Sequence, residues 1–291
     1  MTAAMVLCAG LGTRLRPLTD RLAKPMVPVG DRPAVAHVIE RVRLAVRSRI
    51  VVNSHHRSED LGAWAEAESI AVSHERELLG TAGGLKRAEK LLGQGDVLVW
   101  NGDILTELDA RDLVNAHQAS ANANASANAT LAVRARARGE GSVGIGANGT
   151  VVRLRGESFG EETRGGDFLG VHVVSAALRE RLPETGCLVG DVYIPALGRG
   201  ETIRAFVTDA TFIDIGSIAQ YLAANAAWLT ARALDSWAHD TATIAPGVSV
   251  RGSVIGAGAV VDATAHGCVV WPGAHVQTAR TGEVVMPPAA S

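Results

Sequence analysis

What this chain lacks narrows the reading first. Its three cysteines, Cys8, Cys187 and Cys268, are far apart, odd in number and not at metal-ligand spacing. They offer neither a disulfide framework nor a zinc site, so a reducing cytoplasm is the expected compartment. No apolar run approaches the roughly 18–20 residues that cross a bilayer. The opening MTAAMVLCAG has no positive flank and breaks at once into glycine and arginine, so no secretory leader is expected there. A formal net charge of −2 supplies no basic field for nucleic acid or an anionic membrane. Lysine is scarce as well, 3 residues against 25 arginines. Lys86 and Lys90 sit four apart on an expected helix as ordinary solvated positions, whereas Lys24 lies inside the densest motif of the chain.

What is present is a core. Hydrophobic residues make up 47% of the chain, and short apolar runs alternate with helical patterns through the first half. Residues 3–9, 49–53, 70–75 and 96–100 read as buried strands, and 33–46, 58–67 and 83–92 as helices, with Pro33 in the first turn of the first helix. That alternation implies a parallel, doubly wound sheet. Such sheets bind ligands beyond the carboxyl ends of their strands, which marks the positions following Ala9, Asn53, Glu75 and Trp100. The low-complexity stretch ASANANASANATLAV (119–133) reads as a helix end and surface loop. Asn148-Gly149 marks a hairpin, and 218–234 a closing helix. After about residue 240 helical periodicity stops. Ile244 and Val250, Ile255 and Val261, and Val270 and Val276 recur six apart with small residues between them, as in a parallel β-helix of two to three coils; an irregular tail is the alternative. The expected domains are 1–238 and 239–291.

Three stretches carry chemistry. In AGLGTRLRP, Gly10 and Gly12 leave backbone N–H groups uncovered for an anion, and Arg14 and Arg16 add bidentate donors. Leu15 replaces the third glycine of a dinucleotide fingerprint, and no G-K-[ST] follows, so the stretch is a phosphate loop of another kind or a plain strand-to-helix turn. In VLVWNGDIL, Asp103 closes a buried strand, where a carboxylate suits Mg²⁺ or caps a helix; Asp214 in TFIDIGS is a second such acid. In ELLGTAGGLKRA, Gly80, Gly83 and Gly84 would let a flat ring approach the backbone, while Thr81 adds a hydroxyl or caps the helix.

The stretch GLGTRLRPLTDRLAKPMVPVG resembles the opening motif of the sugar-1-phosphate nucleotidyltransferases, G-x-G-T-R-L-x-P-L-T followed by K-P and P-V. Every fixed position matches except the proline usually found before K-P, here Ala23. Gly102-Asp103 and Asp214-Ile215-Gly216-Ser217-Ile218 stand where that family has G-D and D-I-G-T-P, and YLAANAAWL continues its Y-L-x-A-N. The resemblance implies an α/β fold, a Rossmann-like doubly wound mixed sheet with a short C-terminal left-handed parallel β-helix. It also implies a reaction, nucleoside triphosphate plus sugar 1-phosphate giving nucleotide-sugar and pyrophosphate.

On the family's pattern Arg14, Lys24 and Asp103 are catalytic, and Asp103 and Asp214 hold Mg²⁺. Ala9, Gly10, Gly12, Thr13, Arg14, Gly80, Thr81 and Gly83 surround the nucleotide, and Asn101, Glu157, Gly170 and Asp191 the sugar. The family's E-K-P is here Glu157-Ser158-Phe159, so its second lysine is absent; Arg155 and Arg164 are the nearby charges, and Asp191 equally suits a helix cap. N-G-D with a short β-helix most resembles the mannose-1-phosphate guanylyltransferase branch. Muramate-1-phosphate uridylyltransferase-like and glucose-1-phosphate uridylyl- or thymidylyltransferase branches are the alternatives, and a catalytically silent, nucleotide-sugar-binding regulatory subunit is a different class. The tail is too short for a trimeric acyltransferase site and is expected to serve homo-oligomer contact or stiffening.

Overall fold

The computed structural model describes residues 2–47, 49–122 and 126–288. The chain divides into two compact units, one of Met1–Leu11 with His37–Phe212 and one of Gly12–Ala36 with Ile213–Ser291. The domain boundary expected at 238/239 falls inside the second.

The first unit is built on a mixed sheet. Its parallel part comprises β1 (Ala3–Leu7), β2 (Ile50–Ser54), β3 (Ala71–His74) and β4 (Val97–Asn101), side by side in the order β4-β1-β2-β3. Met5 and Val6 pair with Val51 and Val52 on one side and with Val99 and Trp100 on the other. Both faces of such strands are covered, which is why they read as unbroken aliphatic runs. The sheet continues through β5 (Ala129–Arg136), β6 (Val143–Ile145), β7 (Val151–Leu154), β8 (Glu157–Ser158), β9 (Arg164–Val174) and β10 (Ile203–Thr208). β9 runs antiparallel to β4 and brings β5 and β6 alongside. The Asn148-Gly149 hairpin joins β6 to β7, with Gly149 at φ 76°.

Two expectations need correction. The stretch 119–133 is more than a helix end and loop. Residues 123–125 lie outside the described residues, but Ala129–Arg136 form β5, which pairs with β9 on one side and β10 on the other. A strand flanked on both sides is buried, and Ala129 to Val133 are; alanine and threonine suit that site as well as they suit a surface. Nor does Pro33 open a helix. It pairs with Pro28 in a hairpin around Gly30, and Ala34 N–H donates to Val27 O at 3.0 Å before helix α1 (Ala34–Ala45) begins. The other expected helices form as α2 (Ser58–Ala67) and α3 (Gly80–Arg87), the latter followed by a short turn at Glu89–Leu92.

In the second unit, helix α4 (Ile218–Thr230) holds that hairpin. Asn225 Oδ1 accepts from Gly30 N–H at 2.9 Å, and Tyr221 Oη donates to Pro28 O at 2.7 Å. The Y-L-x-A-N stretch therefore clamps the segment that carries Lys24. Ser217 Oγ accepts from Gln220 N–H at 3.3 Å, so a serine cap starts this helix where the family pattern has proline one position later. Trp271 Nε1 donates to Tyr221 Oη at 3.1 Å, tying the tail to the same clamp.

Gly30 has φ +62°, and a Cβ there would lie 2.1 Å from Trp228 Cε2. Gly30→Ala is expected to destabilise the protein by about 2–4 kcal/mol, through left-handed strain and overpacking together. Thermal or urea unfolding would measure it, and an unchanged midpoint would contradict the packing.

Beyond α4 the chain makes three short parallel ladders, the arrangement a parallel β-helix requires. Val254 pairs with Val269 and Val269 with Val284, fifteen residues apart each time. The six-residue spacing of Ile255 and Val261, and of Val270 and Val276, is one side of the coil, whereas Ile244 and Val250 span a different side. Ile255, Val261, Val270 and Val276 are buried in one apolar cluster with Ala259, Ala265 and Ala274. Among the described residues no helix is long and apolar enough to cross a membrane.

Candidate active site

In the first unit the candidates gather at the carboxyl ends of the parallel strands. After β1 the chain passes through buried Cys8 and Ala9 to exposed Gly10 and Leu11, and a Cβ on Gly10 would meet nothing within 4 Å. Gly102 follows β4, and its N–H donates to Leu7 O at 2.9 Å. A Cβ on Gly102 would lie 2.6 Å from Cys8 Sγ, so only glycine lets the two strand exits approach this closely. Asp103 is thereby fixed beside the exit of β1. Burial, reinforced by the charge of Asp103, pushes the Cys8 thiol far above its ordinary range, so this cysteine is an inert packing group.

Asn101 and Gly170 are brought together. Gly170, at φ +71°, sits where β9 shifts register against β5, and a Cβ there would lie 2.7 Å from Asn101 Nδ2. Asp191 does something local: its Oδ2 accepts from Cys187 N–H at 2.6 Å and fixes the turn into the helical segment Leu188–Tyr193. Glu157 is exposed on the edge strand β8. Arg155, itself exposed, has Nη2 at 3.3 Å from Cys187 Sγ.

The glycine-rich start of α3 has a structural explanation that spacing alone does not reveal. A Cβ on Gly80 would lie 2.3 Å from Gly186 O, and one on Gly83 2.4 Å from Glu184 O. Thr81 Oγ1 accepts from Leu188 N–H at 2.7 Å instead of capping its own helix. The close approach these glycines permit is that of segment 184–188. Gly84 faces a buried polar pair, Asn53 and Glu75, whose side chains stand 2.9 and 2.6 Å from where its Cβ would be. Strand topology marks the positions that follow these two residues, and no motif marks the residues themselves.

In the second unit Gly12 takes φ +62°, and its carbonyl accepts from Thr19 Oγ1 at 2.9 Å. A Cβ on Gly12 would lie 2.7 Å from Thr19 Cγ2 and 3.1 Å from Lys24 Cβ, so the half-buried Lys24 lays its stem against this glycine. Thr13 and Arg14 follow in an exposed turn anchored by buried Leu15. Arg14 Nη2, Gln220 Oε1 and Asp214 Oδ1 all lie 3.1–3.2 Å from the point where Gly216 would carry a Cβ. The glycine of D-I-G thus leaves room for a guanidinium beside the carboxylate. Gln220 escapes a reading of the sequence; its position one turn after Gly216 is the signal available.

Among the described residues no group of three or more His, Cys, Asp and Glu side chains could cage a metal ion. Asp103 and Asp214 are hard oxygen donors, the kind Mg²⁺ takes one or two at a time while substrate phosphates complete its shell. Each of the two acids, taken by itself, has the chemistry of a donor that Mg²⁺ accepts.

Behind the site, His172 is buried against Phe168 and Tyr193, and neither ring nitrogen has a hydrogen-bond partner among the described residues. Burial pulls its pKa from 6.5 down to about 3. Below pH 6.5 the unfolded chain binds a proton that the folded chain refuses. The stability due to neutral His172 is complete above that pH and is lost as pH falls towards 3, at up to about 1.4 kcal/mol per pH unit. His172→Phe should flatten this part of the acid limb in urea midpoints taken from pH 7 to 4; an unaltered limb would contradict it.

The nucleotidyl transferase family profile matches residues 3–231. Over 123 residues the chain is 42% identical to a mannose-1-phosphate guanyltransferase from Pichia angusta, covering 40% of this chain and 34% of that protein. Over 116 residues it is 33% identical to the bifunctional protein GlmU of Methanococcus vannielii, covering 40% and 28%. The matched part is about a third of the length of these curated relatives. The crystal structure of HddC from Yersinia pseudotuberculosis complexed with GMP-PN matches with a TM-score of 0.64 at 25% identity, over 78% of this chain and 100% of that one. A UDP-glucose pyrophosphorylase from Acinetobacter shares the fold, with a TM-score of 0.61 at 21% identity over 79% and 94%.

Proposed function

The chain belongs to the nucleotidyl transferase family, and from that premise we propose that it transfers a nucleotidyl group to a sugar 1-phosphate, with guanosine as the base and mannose as the sugar. The observation that carries the reaction class is the packing of Gly12 against Thr19 and Lys24, within a motif that matches a phosphate-handling family at every fixed position but Ala23. The base and sugar rest on the identity to the Pichia angusta guanyltransferase and on N-G-D with a short tail.

In this mechanism a phosphate oxygen of the sugar 1-phosphate attacks the α-phosphorus. A new P–O bond forms there as the bond to the β-phosphate breaks and pyrophosphate leaves. The nucleophile is already an anion, so no protein base is required. The obstacle is repulsion between two polyanions, and it is met by positioning and fixed positive charge. Backbone N–H groups of Gly10, Gly12 and Thr13, with Ala9 before them, receive the triphosphate, Arg14 covers the departing pyrophosphate, and Lys24 neutralises the α-phosphate. Gly80, Thr81 and Gly83 border the base, and Asn101, Gly170, Glu157 and Asp191 the sugar. Asp103 and Asp214 would hold Mg²⁺, which supplies charge neutralisation to the phosphates when bound.

The test is a pyrophosphate-release screen of four nucleoside triphosphates against a panel of sugar 1-phosphates with Mg²⁺. GTP with mannose 1-phosphate should give the highest kcat/KM. Release with another pair alone would overturn the substrate assignment, and release with none would overturn the reaction.

A further inference from the structure

A chain of three hydrogen bonds, two buried and one part-buried, joins the exit of β1 to the start of α3. Cys8 N–H donates to Asn53 Oδ1 at 2.6 Å, Asn53 Nδ2 donates to Glu75 Oε1 at 2.6 Å, and Leu79 N–H donates to Glu75 Oε2 at 3.1 Å. Asn53 is 2% exposed and Glu75 1%. A buried carboxylate with so few partners is costly, so hydrophobic stability is not what this pair provides. Its direction is fixed from both ends, because a backbone N–H can only donate. Cys8 requires an acceptor at 53, which turns the Asn53 amide nitrogen towards 75, and Leu79 requires a second acceptor at 75.

We propose that Asn53 and Glu75 are a positioning relay that holds the phosphate-loop entrance at Cys8–Gly10 in register with the start of α3 at Leu79–Gly80. The inference rests on the nucleotidyl-transfer reading, which assigns those two segments to one nucleotide. Neither side chain is a catalytic residue; each acts through the backbone it holds.

The polarity of the relay supplies its test. In Glu75→Gln, one face of the new amide must present N–H to a donor, either Leu79 N–H or Asn53 Nδ2, whichever way it turns. In Asn53→Asp, two carboxylates face each other where 2.6 Å now separates donor from acceptor. In the double variant the bonds close again with the middle one reversed. The new carboxylate at position 53 then accepts from Cys8 N–H and from the new amide at position 75. That amide's carbonyl accepts in turn from Leu79 N–H, and one negative charge is retained.

Each single variant should lower kcat/KM for the triphosphate by about 10–10²-fold, the scale of a sub-ångström to ångström misplacement. The KM for the sugar 1-phosphate should change less. Amide exchange at Cys8 and Leu79 should quicken in both singles. The double variant should return both readouts to within about fivefold of the parent chain. Gly84→Ala, which drives a methyl against the pair without altering a donor, should mimic the singles.

Singles with parental exchange and turnover would overturn the relay, as would a double variant no better than the worse single. Should the singles not fold, a folded and active double variant supports the relay, and a double variant that also fails overturns it. Amide exchange reads the relay even in a chain that transfers nothing. A parental chain with protected Cys8 and Leu79 amides but no pyrophosphate release would therefore overturn the assigned reaction and leave the hydrogen-bond relay standing.

Discussion

Replacing Lys24 by alanine is expected to lower kcat by about 10²–10³, the scale on which one preorganised transition-state donor matters. The argument begins with composition: arginine has taken nearly every basic position of this chain, and 3 lysines remain. Lys86 is paired with Glu89 at 2.9 Å, and Lys90 is exposed in the short turn after α3. Lys24 is set apart by its place in the motif and its packing. It opens the turn Lys24–Met26, with Pro25 buried behind it, and its Cβ and Cδ lie 3.1 and 3.4 Å from the Cβ position that Gly12 leaves empty. The stem is therefore held against Gly12 by packing as far as Cδ. A planar guanidinium is wider and prefers two oxygens at once, so Lys24→Arg should recover little of the loss. Pyrophosphate-release kinetics at saturating substrates, with unfolding midpoints as control, measure this; near-parental turnover in a folded Lys24→Ala chain would remove the assigned role.

Lys24 stands out in the amino-acid sequence because its setting depends on local order. Strand–loop–helix alternation, glycines at strand exits and a dense motif are properties of neighbouring residues, and they place β1 to β4 and the ends that matter. What sequence cannot carry is what distant segments do to each other. The glycines of LGTAGG announce a close approach, but only the fold says that Gly186 O and Glu184 O are what approach. Asn53 and Glu75 lie 22 residues apart with no motif between them, and their 2.6 Å hydrogen bond exists because β2 and β3 are neighbours in the sheet. Strand β5 escapes a local reading for a related reason. Alanine and threonine satisfy a surface loop and a crowded interior equally, and the two strands that flank β5 come from 164–174 and 203–208, beyond any local window. In the tail, the six-residue spacing is real, but a fifteen-residue coil has unequal sides, and only the ladder of Val254, Val269 and Val284 discloses its length.

The second large effect is expected at the two acids. Asp103→Asn and Asp214→Asn should each lower kcat by about 10²-fold or more, since a metal's neutralisation of phosphate charge is worth several kcal/mol and each tenfold in rate is about 1.4 kcal/mol. Each change keeps the side chain's shape and removes its charge, so packing around Gly102 and Gly216 should survive and unfolding midpoints should shift little. The Mg²⁺ concentration for half-maximal rate should rise in both variants, an effect that distinguishes a lost ligand from a lost hydrogen bond. The pair also tests itself. If both carboxylates serve one ion, removing the second after the first costs little more, as groups acting as a unit are strongly non-additive. The double variant should then be close to the worse single. Losses that multiply instead, or singles whose Mg²⁺ requirement is unchanged, would show that Asp103 and Asp214 do separate work, and the metal assignment would have to be withdrawn from at least one of them.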